Sequence, residues 1–134
     1  FEYYPACVFT MTEVAQVGYT EEQLKEKGID YKSSKFMFGA NSKSLSAGET
    51  DGFIKILASK EDSKILGVHI LGPHANDLIQ EGTLALANKL DASNITKAIH
   101  AHPTLGESFF EATLGLDEKS IHTAPKRKRG TRRS

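Results

Sequence analysis

The first half of the chain alternates apolar residues with small or polar ones in short segments, which is the pattern of β-strands. Residues 14–19 alternate in this way and predict a strand with one buried face. Further apolar segments that predict strands lie at residues 6–10, 29–38, 53–59 and 64–71. Because only the polar residues 60–63 separate the last two segments, we expect those two strands to form a β-hairpin.

Short helical signals lie between these strands. Residues 20–23, Thr-Glu-Glu-Gln, have the spacing of a capping box, and Gly28 is a typical helix stop, so a short helix is predicted between them. Residues 41–50 are polar and contain glycine, which predicts a loop with about one helical turn.

Helical spacing dominates the second half of the chain. The best helix is predicted over residues 74–90, with an apolar face assigned to Leu78, Ile79, Glu81, Leu84, Ala85, Leu86, Ala87 and Asn88. Ser93 is expected to cap a short helix that runs through residue 99. A last helix is predicted over residues 104–116, with Leu105, Phe109, Phe110 and Ala112 as its buried residues.

The order of these elements predicts an α+β fold, an antiparallel sheet covered by helices. We place this domain at residues 6–117, after a linker at residues 1–5. Residues 118–134 are expected to form a polar, basic, disordered tail. The aromatic side chains of Tyr31, Phe36 and Phe38 are expected in the core, since rings of this size bury large apolar areas.

Composition narrows the classes of protein. No apolar run approaches the ~20 residues that a membrane-spanning helix needs, so we expect no membrane partner. Cys7 is the single cysteine, which excludes an internal disulfide and a four-thiolate metal site. The chain begins at Phe1, and we expect it to be a piece of a longer protein.

Charge is distributed unevenly along the chain. Six of the 17 basic residues lie in the last nine positions, whereas residues 1–125 carry 11 basic and 17 acidic side chains. We favour a solvated, disordered end for this basic run. The alternatives are contact with an acidic partner, such as the core of a complex, and binding to nucleic acid or use as a nuclear address.

The chemically most distinctive stretch is residues 100–107, His-Ala-His-Pro-Thr-Leu-Gly-Glu. Imidazole is well suited to proton transfer near neutral pH, and a nearby carboxylate can fix its tautomer. Pro103 disfavours the helical region for His102, and Glu107 in the first turn of the following helix can project back towards that ring. The competing interpretation is a Thr-x-x-Glu capping box, in which Glu107 only satisfies the backbone N–H of Thr104.

Other histidines carry weaker signals. His69 lies on an apolar strand and is expected to be structural. A metal site built from His69, His74 and Asp77 matches no known ligand spacing, and we predict none.

Residues 100–107 resemble the C-terminal signature of the dihydrolipoamide dehydrogenases, flavin-dependent disulfide oxidoreductases of the 2-oxoacid dehydrogenase and glycine-cleavage complexes. The shorter core His-Pro-Thr-x-x-Glu is shared with glutathione reductases, but the preceding His-Ala favours the lipoamide branch. Residues 9–18 also resemble the family, although Met11 and Thr12 stand where the family usually has His-Pro. The resemblance covers roughly residues 5–116.

The resemblance implies an interface domain that pairs as a twofold homodimer. It implies that His102 is the acid/base catalyst, that Glu107 hydrogen-bonds its other ring nitrogen, and that this pair serves the flavin and disulfide of the partner subunit. His100 would line the substrate channel or be structural.

The resemblance also implies cofactors and partners for a full-length enzyme. These are FAD, NAD, and a lipoyl-bearing acyltransferase or glycine-cleavage carrier protein, in the cytoplasm or the mitochondrial matrix. This chain lacks a Gly-x-Gly-x-x-Gly fingerprint and a cysteine pair, so we expect it to bind neither cofactor and to be inactive alone. The alternative is a free-standing dimerisation module whose basic tail binds a polyanion without catalysis.

Overall fold

The fold is a five-stranded antiparallel sheet with helices packed on it. A computed structural model describes residues 3–8 and 12–117. The strands of the described part are β1 (Ala6–Val8), β2 (Val14–Gly18), β3 (Tyr31–Met37), β4 (Phe53–Ser59) and β5 (Ile65–Leu71). They lie in the order β1-β2-β5-β4-β3, and every neighbouring pair is antiparallel. The predicted hairpin is therefore confirmed as the β4–β5 pair, whereas the basic tail predicted for residues 118–134 lies outside the described residues.

Five α-helices and two 3₁₀ turns complete the described part of the chain. The helices are α1 (Glu21–Glu26), α2 (Ser42–Ala47), α3 (Ala75–Ala87), α4 (Ala92–Thr96) and α5 (Glu107–Leu114), and the 3₁₀ turns are Phe38–Ala40 and Gly115–Asp117. Helix α3 packs on β2 and β5, and α5 packs on β3 and β4. None of the helices within the described ranges has the length and apolar character needed to cross a membrane.

The core lies between one face of the sheet and these two helices. Ala15 of β2 is in register with Ile70 of β5, which faces Ile54 of β4, which faces Phe36 of β3. All four side chains are buried in one apolar cluster that α3 and α5 also enter. Because side chains alternate between the two faces of a strand, this register explains why β2 and the second half of β3 bury alternate residues, whereas the central strands β4 and β5 also bury residues on the other face. The predicted α+β fold, with helices covering an antiparallel sheet, is thus confirmed.

Tyr31 does not join this core, and that part of the aromatic prediction is wrong. Phe36 and Phe38 are buried as expected, but Tyr31 lies an odd number of residues from Phe36 on β3 and so projects from the opposite face. Its half-buried hydroxyl donates a hydrogen bond to Glu21 of α1 at 3.2 Å. Lys55 of β4 is also paired with Glu21 and lowers the pKa of that carboxyl group, against the opposing effect of partial burial.

The buried face of α3 is rotated from the predicted one. Leu84, which we assigned to the apolar face, is 61% exposed. The residues that are buried are Ala75, Ile79, Gly82, Ala85 and Leu86. A Cβ atom at Gly82 would lie 2.9 Å from Cγ2 of Val68, so the missing side chain allows the helix to approach the sheet closely. The sequence analysis located the buried face of α3 from its apolar side chains, and glycine has none. The prediction therefore missed the position of Gly82 on the buried face.

Helix α4 begins earlier than predicted, and Asp91 caps it in place of Ser93. The Asp91 carboxylate accepts from the backbone N–H of Asn94 at 2.9 Å and from the hydroxyl of Ser93 at 2.7 Å. The Ser93 hydrogen bond is the main reason that the pKa of Asp91 is lowered. An aspartate competes well for the cap position because its charged oxygen satisfies the free N–H groups of the first turn.

Candidate functional site

The candidate site lies in the segment that joins α4 to α5, residues 98–106, which we call the histidine loop. The loop begins after the short helix α4 and ends where Gly106 precedes the first residue of α5. His102 lies near its middle with 69% of its side chain exposed, and the His102–Pro103 peptide bond is cis. His102 is therefore held outside regular structure, on the surface of the described part of the chain.

The structure brings together the two residues that the sequence predicted to be catalytic. His102 Nδ1 lies 2.9 Å from Oε1 of Glu107 and 3.1 Å from Oε2. Since a carboxylate can only accept here, Nδ1 carries the proton and donates it. In the neutral ring the lone pair then resides on Nε2, which makes no hydrogen bond to a described residue. The arrangement thus presents a basic nitrogen outward while its other nitrogen is fixed.

Glu107 also satisfies part of the competing capping interpretation. Its Oε1 accepts from the backbone N–H of Thr104 at 3.0 Å, as a capping box requires. In a complete capping box the Thr104 hydroxyl would also accept from the backbone N–H of Glu107. Here that hydroxyl donates to the carbonyl of Ala101 at 2.6 Å, and no side chain caps α5. Helix α5 consequently begins at Glu107 and not at Thr104 as predicted. One carboxylate orients His102 and holds the backbone of the loop.

Asn41 anchors the same loop from a distant part of the chain. Its side-chain NH₂ donates to the carbonyl of Thr104 at 2.9 Å, while its oxygen accepts from the backbone N–H of Ser44 and caps α2. The side chain is nearly fully buried, so both bonds are shielded from water. The sequence predicted only a loop with about one helical turn here, and nothing in it indicated a contact 63 residues away.

His100 is placed quite differently from His102. Only 12% of its side chain is exposed, and its ring centroid lies 5.2 Å from that of Phe110 on α5. Nε2 lies 2.7 Å from Oε1 of Glu81 on α3, and Nδ1 lies 3.0 Å from the carbonyl oxygen of Ala98. Each histidine of the loop therefore contacts a glutamate outside it. The sequence predicted the contact of His102 with Glu107 but not that of His100 with Glu81.

The remaining histidines lie away from the loop. His69 donates from Nε2 to the carbonyl of Tyr19 at 3.0 Å, which agrees with the structural role expected for it. His74 is paired with Glu49 at 3.2 Å and is 3.9 Å from Asp77. Within residues 3–8 and 12–117, no three histidine, cysteine or carboxylate side chains are grouped closely enough to hold a metal ion.

Two cavities among the described residues differ in size and lining. A small one behind Glu107 is lined by Phe36, Ala40, Asn41, Ser42, Glu107 and Glu111 and is too small for a cofactor. A larger one of about 360 Å³ is lined by Asp62, Ser63, Asp91, Ala92, Ser93, Thr96, Thr113, Leu114 and Asp117. Its three carboxylates would repel the phosphates of a dinucleotide. Neither cavity fits FAD or NAD.

Comparison with known proteins places most of the described domain in one family. The model of the pyridine nucleotide-disulphide oxidoreductase dimerisation domain matches residues 4–113. The chain belongs to this family of dimerisation domains. The family resemblance noted in residues 100–107 is thereby confirmed over most of the chain.

Relatives of this dimerisation domain include curated dihydrolipoyl dehydrogenases. It is 49% identical over 119 residues to the mitochondrial dihydrolipoyl dehydrogenase of Homo sapiens, covering 88% of this chain and 23% of that protein. It is 46% identical over 118 residues to dihydrolipoamide dehydrogenase of Chaetomium thermophilum, with 88% and 23% covered. The chain therefore spans about a quarter of the length of these relatives.

Solved structures share the fold of this dimerisation domain. LpdA from Mycobacterium tuberculosis superposes with a TM-score of 0.80 at 23% identity, over 84% of this chain and 25% of that one. The HOCl-induced flavoprotein disulfide reductase RclA from Escherichia coli gives 0.80 at 24% identity, over 84% and 26%. At this level of identity the likeness establishes the architecture alone.

Proposed function

We propose that this domain is the dimerisation domain of a dihydrolipoyl dehydrogenase that reoxidises dihydrolipoamide with NAD. The observation that supports this proposal most strongly is the contact between His102 Nδ1 and both carboxylate oxygens of Glu107. Identity of 46–49% to dihydrolipoyl dehydrogenases supports the choice of this branch. Two of the relatives, from Pisum sativum and Homo sapiens, are mitochondrial enzymes, which supports the mitochondrial matrix as the compartment if the source is eukaryotic.

The chemistry proposed for the pair is proton transfer during thiol–disulfide exchange. A thiol of dihydrolipoamide gives its proton to Nε2 of His102, and its sulfur becomes a thiolate. That thiolate attacks one sulfur of an enzyme disulfide, forming a new S–S bond and releasing the other sulfur as a thiolate. The step requires a base because the thiolate, not the thiol, is the nucleophile. Glu107 stabilises the positive charge that His102 acquires.

The redox groups belong to other parts of a full-length protein. The two cavities described above do not fit a dinucleotide, and Cys7 has no second cysteine in the chain to form a disulfide. FAD and NAD would carry the two electrons onward from the reduced disulfide. We therefore propose that the exposed His102 serves the disulfide of the partner subunit in a homodimer. The dihydrolipoyl group would arrive on an acyltransferase or on a glycine-cleavage carrier protein.

The test is the replacement His102→Gln in the full-length protein. Loss of a positioned general base should lower turnover with dihydrolipoamide by about 10²–10⁴-fold. Flavin content should be unchanged, because the side chain of His102 is 69% exposed and supports no part of the core. His74→Asn is a matched control, since His74 also pairs with a glutamate but lies outside the histidine loop. Full turnover in the His102 variant would remove the assignment.

The alternative of a non-catalytic module with a polyanion-binding tail makes opposite predictions. The natural full-length product would then be colourless, without flavin absorbance. Its binding to nucleic acid would weaken steeply with salt, because six basic side chains near the end of the chain would displace counterions.

A further inference from the structure

We propose that His100 is a positioning residue for His102, and that Glu81 of α3 holds it through the contact with Nε2. This inference rests on the proposed function of the histidine loop. It assigns a role to a side chain that would not touch substrate, and it names a second helix, α3, as a support of the site.

Both ring nitrogens of His100 face acceptors within the chain. Nε2 is 2.7 Å from the Glu81 carboxylate and Nδ1 is 3.0 Å from the Ala98 carbonyl. A neutral imidazole carries one N–H and can donate to one of these oxygens, whereas the imidazolium donates to both. Phe110 lies against the ring. The ring is therefore held from three sides, by α3, by α5 and by the start of the loop.

This arrangement argues against direct contact between His100 and substrate. A ring that meets a ligand needs an accessible nitrogen or an accessible face. Both ring nitrogens of His100 lie against oxygens of the chain and only 12% of its side chain is exposed, whereas His102 is 69% exposed. Of the two roles expected from the sequence, the contacts favour the structural one, directed at the neighbouring catalytic residue.

The loop around His102 is fixed on both sides of it. Before His102, His100 ties the chain to α3. After it, Thr104 is bonded to Asn41 and to Glu107. Only the flanking residues Ala101 and Pro103 separate His102 from these anchors, so releasing one anchor moves the backbone of His102. A displacement of about 1 Å in a reacting group can cost on the order of 100-fold in rate.

The helix that carries Glu81 is itself placed rigidly. The neighbouring residue, Gly82, lies against Val68 of β5 at a distance that leaves no room for a side chain. Glu81 is half-buried, with 34% of its side chain exposed. Its carboxylate thus starts from a helix fixed on the sheet, as a positioning group requires.

The experiment compares graded variants in the full-length protein. His100→Gln places an amide N–H near the position of Nε2 and can keep the Glu81 bond, whereas His100→Asn can keep only the Ala98 bond. We expect turnover with dihydrolipoamide to fall about 10-fold or more in His100→Asn and less than about 3-fold in His100→Gln. Glu81→Ala should resemble His100→Asn. The KM for dihydrolipoamide should change less than about twofold, because binding contacts are not removed.

A double-variant cycle separates positioning from a general loss of stability. If His100 acts through His102, adding His100→Asn to His102→Gln should reduce turnover no further. NADH-driven reduction of ferricyanide needs no thiol deprotonation and should be unchanged in the His100 and Glu81 variants. His74→Asn again serves as the control.

The outcomes are distinct. A KM rise with unchanged turnover would mean that His100 contacts substrate, and additive losses in the His102→Gln background would mean a role independent of His102; either overturns the inference. Equal losses in His100→Gln and His100→Asn would overturn the assigned role of Glu81. If His100→Asn fails to fold, Glu81→Ala, which removes the acceptor for Nε2, takes its position in the cycle. Full activity of His102→Gln alone would instead refute the proposed function.

Discussion

Replacing Glu107 by glutamine separates its two contacts. Its carboxylate accepts from His102 Nδ1 at 2.9 and 3.1 Å and from the N–H of Thr104 at 3.0 Å. A glutamine carbonyl can still accept from Thr104, but it offers no charge to the imidazolium that forms when His102 takes a proton. The variant Glu107→Gln should therefore lose rate while keeping most of its stability.

The magnitude follows from the kind of hydrogen bond that is lost. A hydrogen bond to a charged group contributes about 1.5–3 kcal/mol and a neutral one about 0.5–1.5 kcal/mol, a difference of about 1–2 kcal/mol. If this difference appears only in the transition state, turnover falls about 5- to 30-fold. The free energy of unfolding should fall by less than about 1 kcal/mol, the usual value of one charge at a helix N-terminus.

The assay pairs steady-state turnover of dihydrolipoamide with urea unfolding. Glu107→Ala is the comparison, because it removes both contacts and should lose about 0.5–2 kcal/mol of stability as well as rate. If Glu107→Gln kept full turnover but lost as much stability as Glu107→Ala, the proposed role of Glu107 in stabilising protonated His102 would be refuted. Glu107 would then be a capping residue only.

Two further predictions concern the fold. Gly82→Ala should lower the free energy of unfolding by about 1–3 kcal/mol, as measured by thermal unfolding. The added Cβ would lie 2.9 Å from Cγ2 of Val68, and this clash outweighs the higher helix propensity of alanine. Lys55→Met should cost about 0.5–1 kcal/mol at pH 7, since Lys55 lowers the pKa of Glu21 at a partly exposed site. A carboxyl group whose pKa is lowered by folding stabilises the folded state fully above its unfolded pKa of about 4.3. This stabilisation is lost as the pH falls through the folded pKa. The difference in stability between wild type and Lys55→Met should therefore shrink as the pH falls through the folded pKa of Glu21 and vanish below it, and a difference independent of pH would contradict this cause.

Local patterns were sufficient for the strands and for the contact between His102 and Glu107. Ala15 and Val17 alternate with exposed residues on β2, so period-two alternation found that strand. His102 and Glu107 are only five residues apart, and a proline followed by a helix start restricts how they can lie. Their contact therefore depends on local geometry that the sequence expresses directly.

Contacts that the sequence did not reveal depend on tertiary packing. Glu81 meets His100 across 19 residues, and Asn41 meets Thr104 across 63, so neither pair has a characteristic spacing. Tyr31 was misplaced because its register on β3, not its hydrophobicity, decides which face it occupies. The sequence did place Glu81 among apolar residues on one predicted helix face. A charged side chain in such a position is typical of a residue that is paired with another polar group.

The most direct test of the account uses mixed dimers of the full-length protein. One subunit carries His102→Gln, and the other has its redox cysteines replaced, so that each parent homodimer is inactive with dihydrolipoamide. If His102 serves the disulfide of the partner subunit, each mixed dimer contains one complete site and should show about half of the wild-type turnover, as expected for independent sites. Mixed dimers that form but remain as inactive as both parents would show that the base acts within its own subunit, or not at all, and would contradict the central claim.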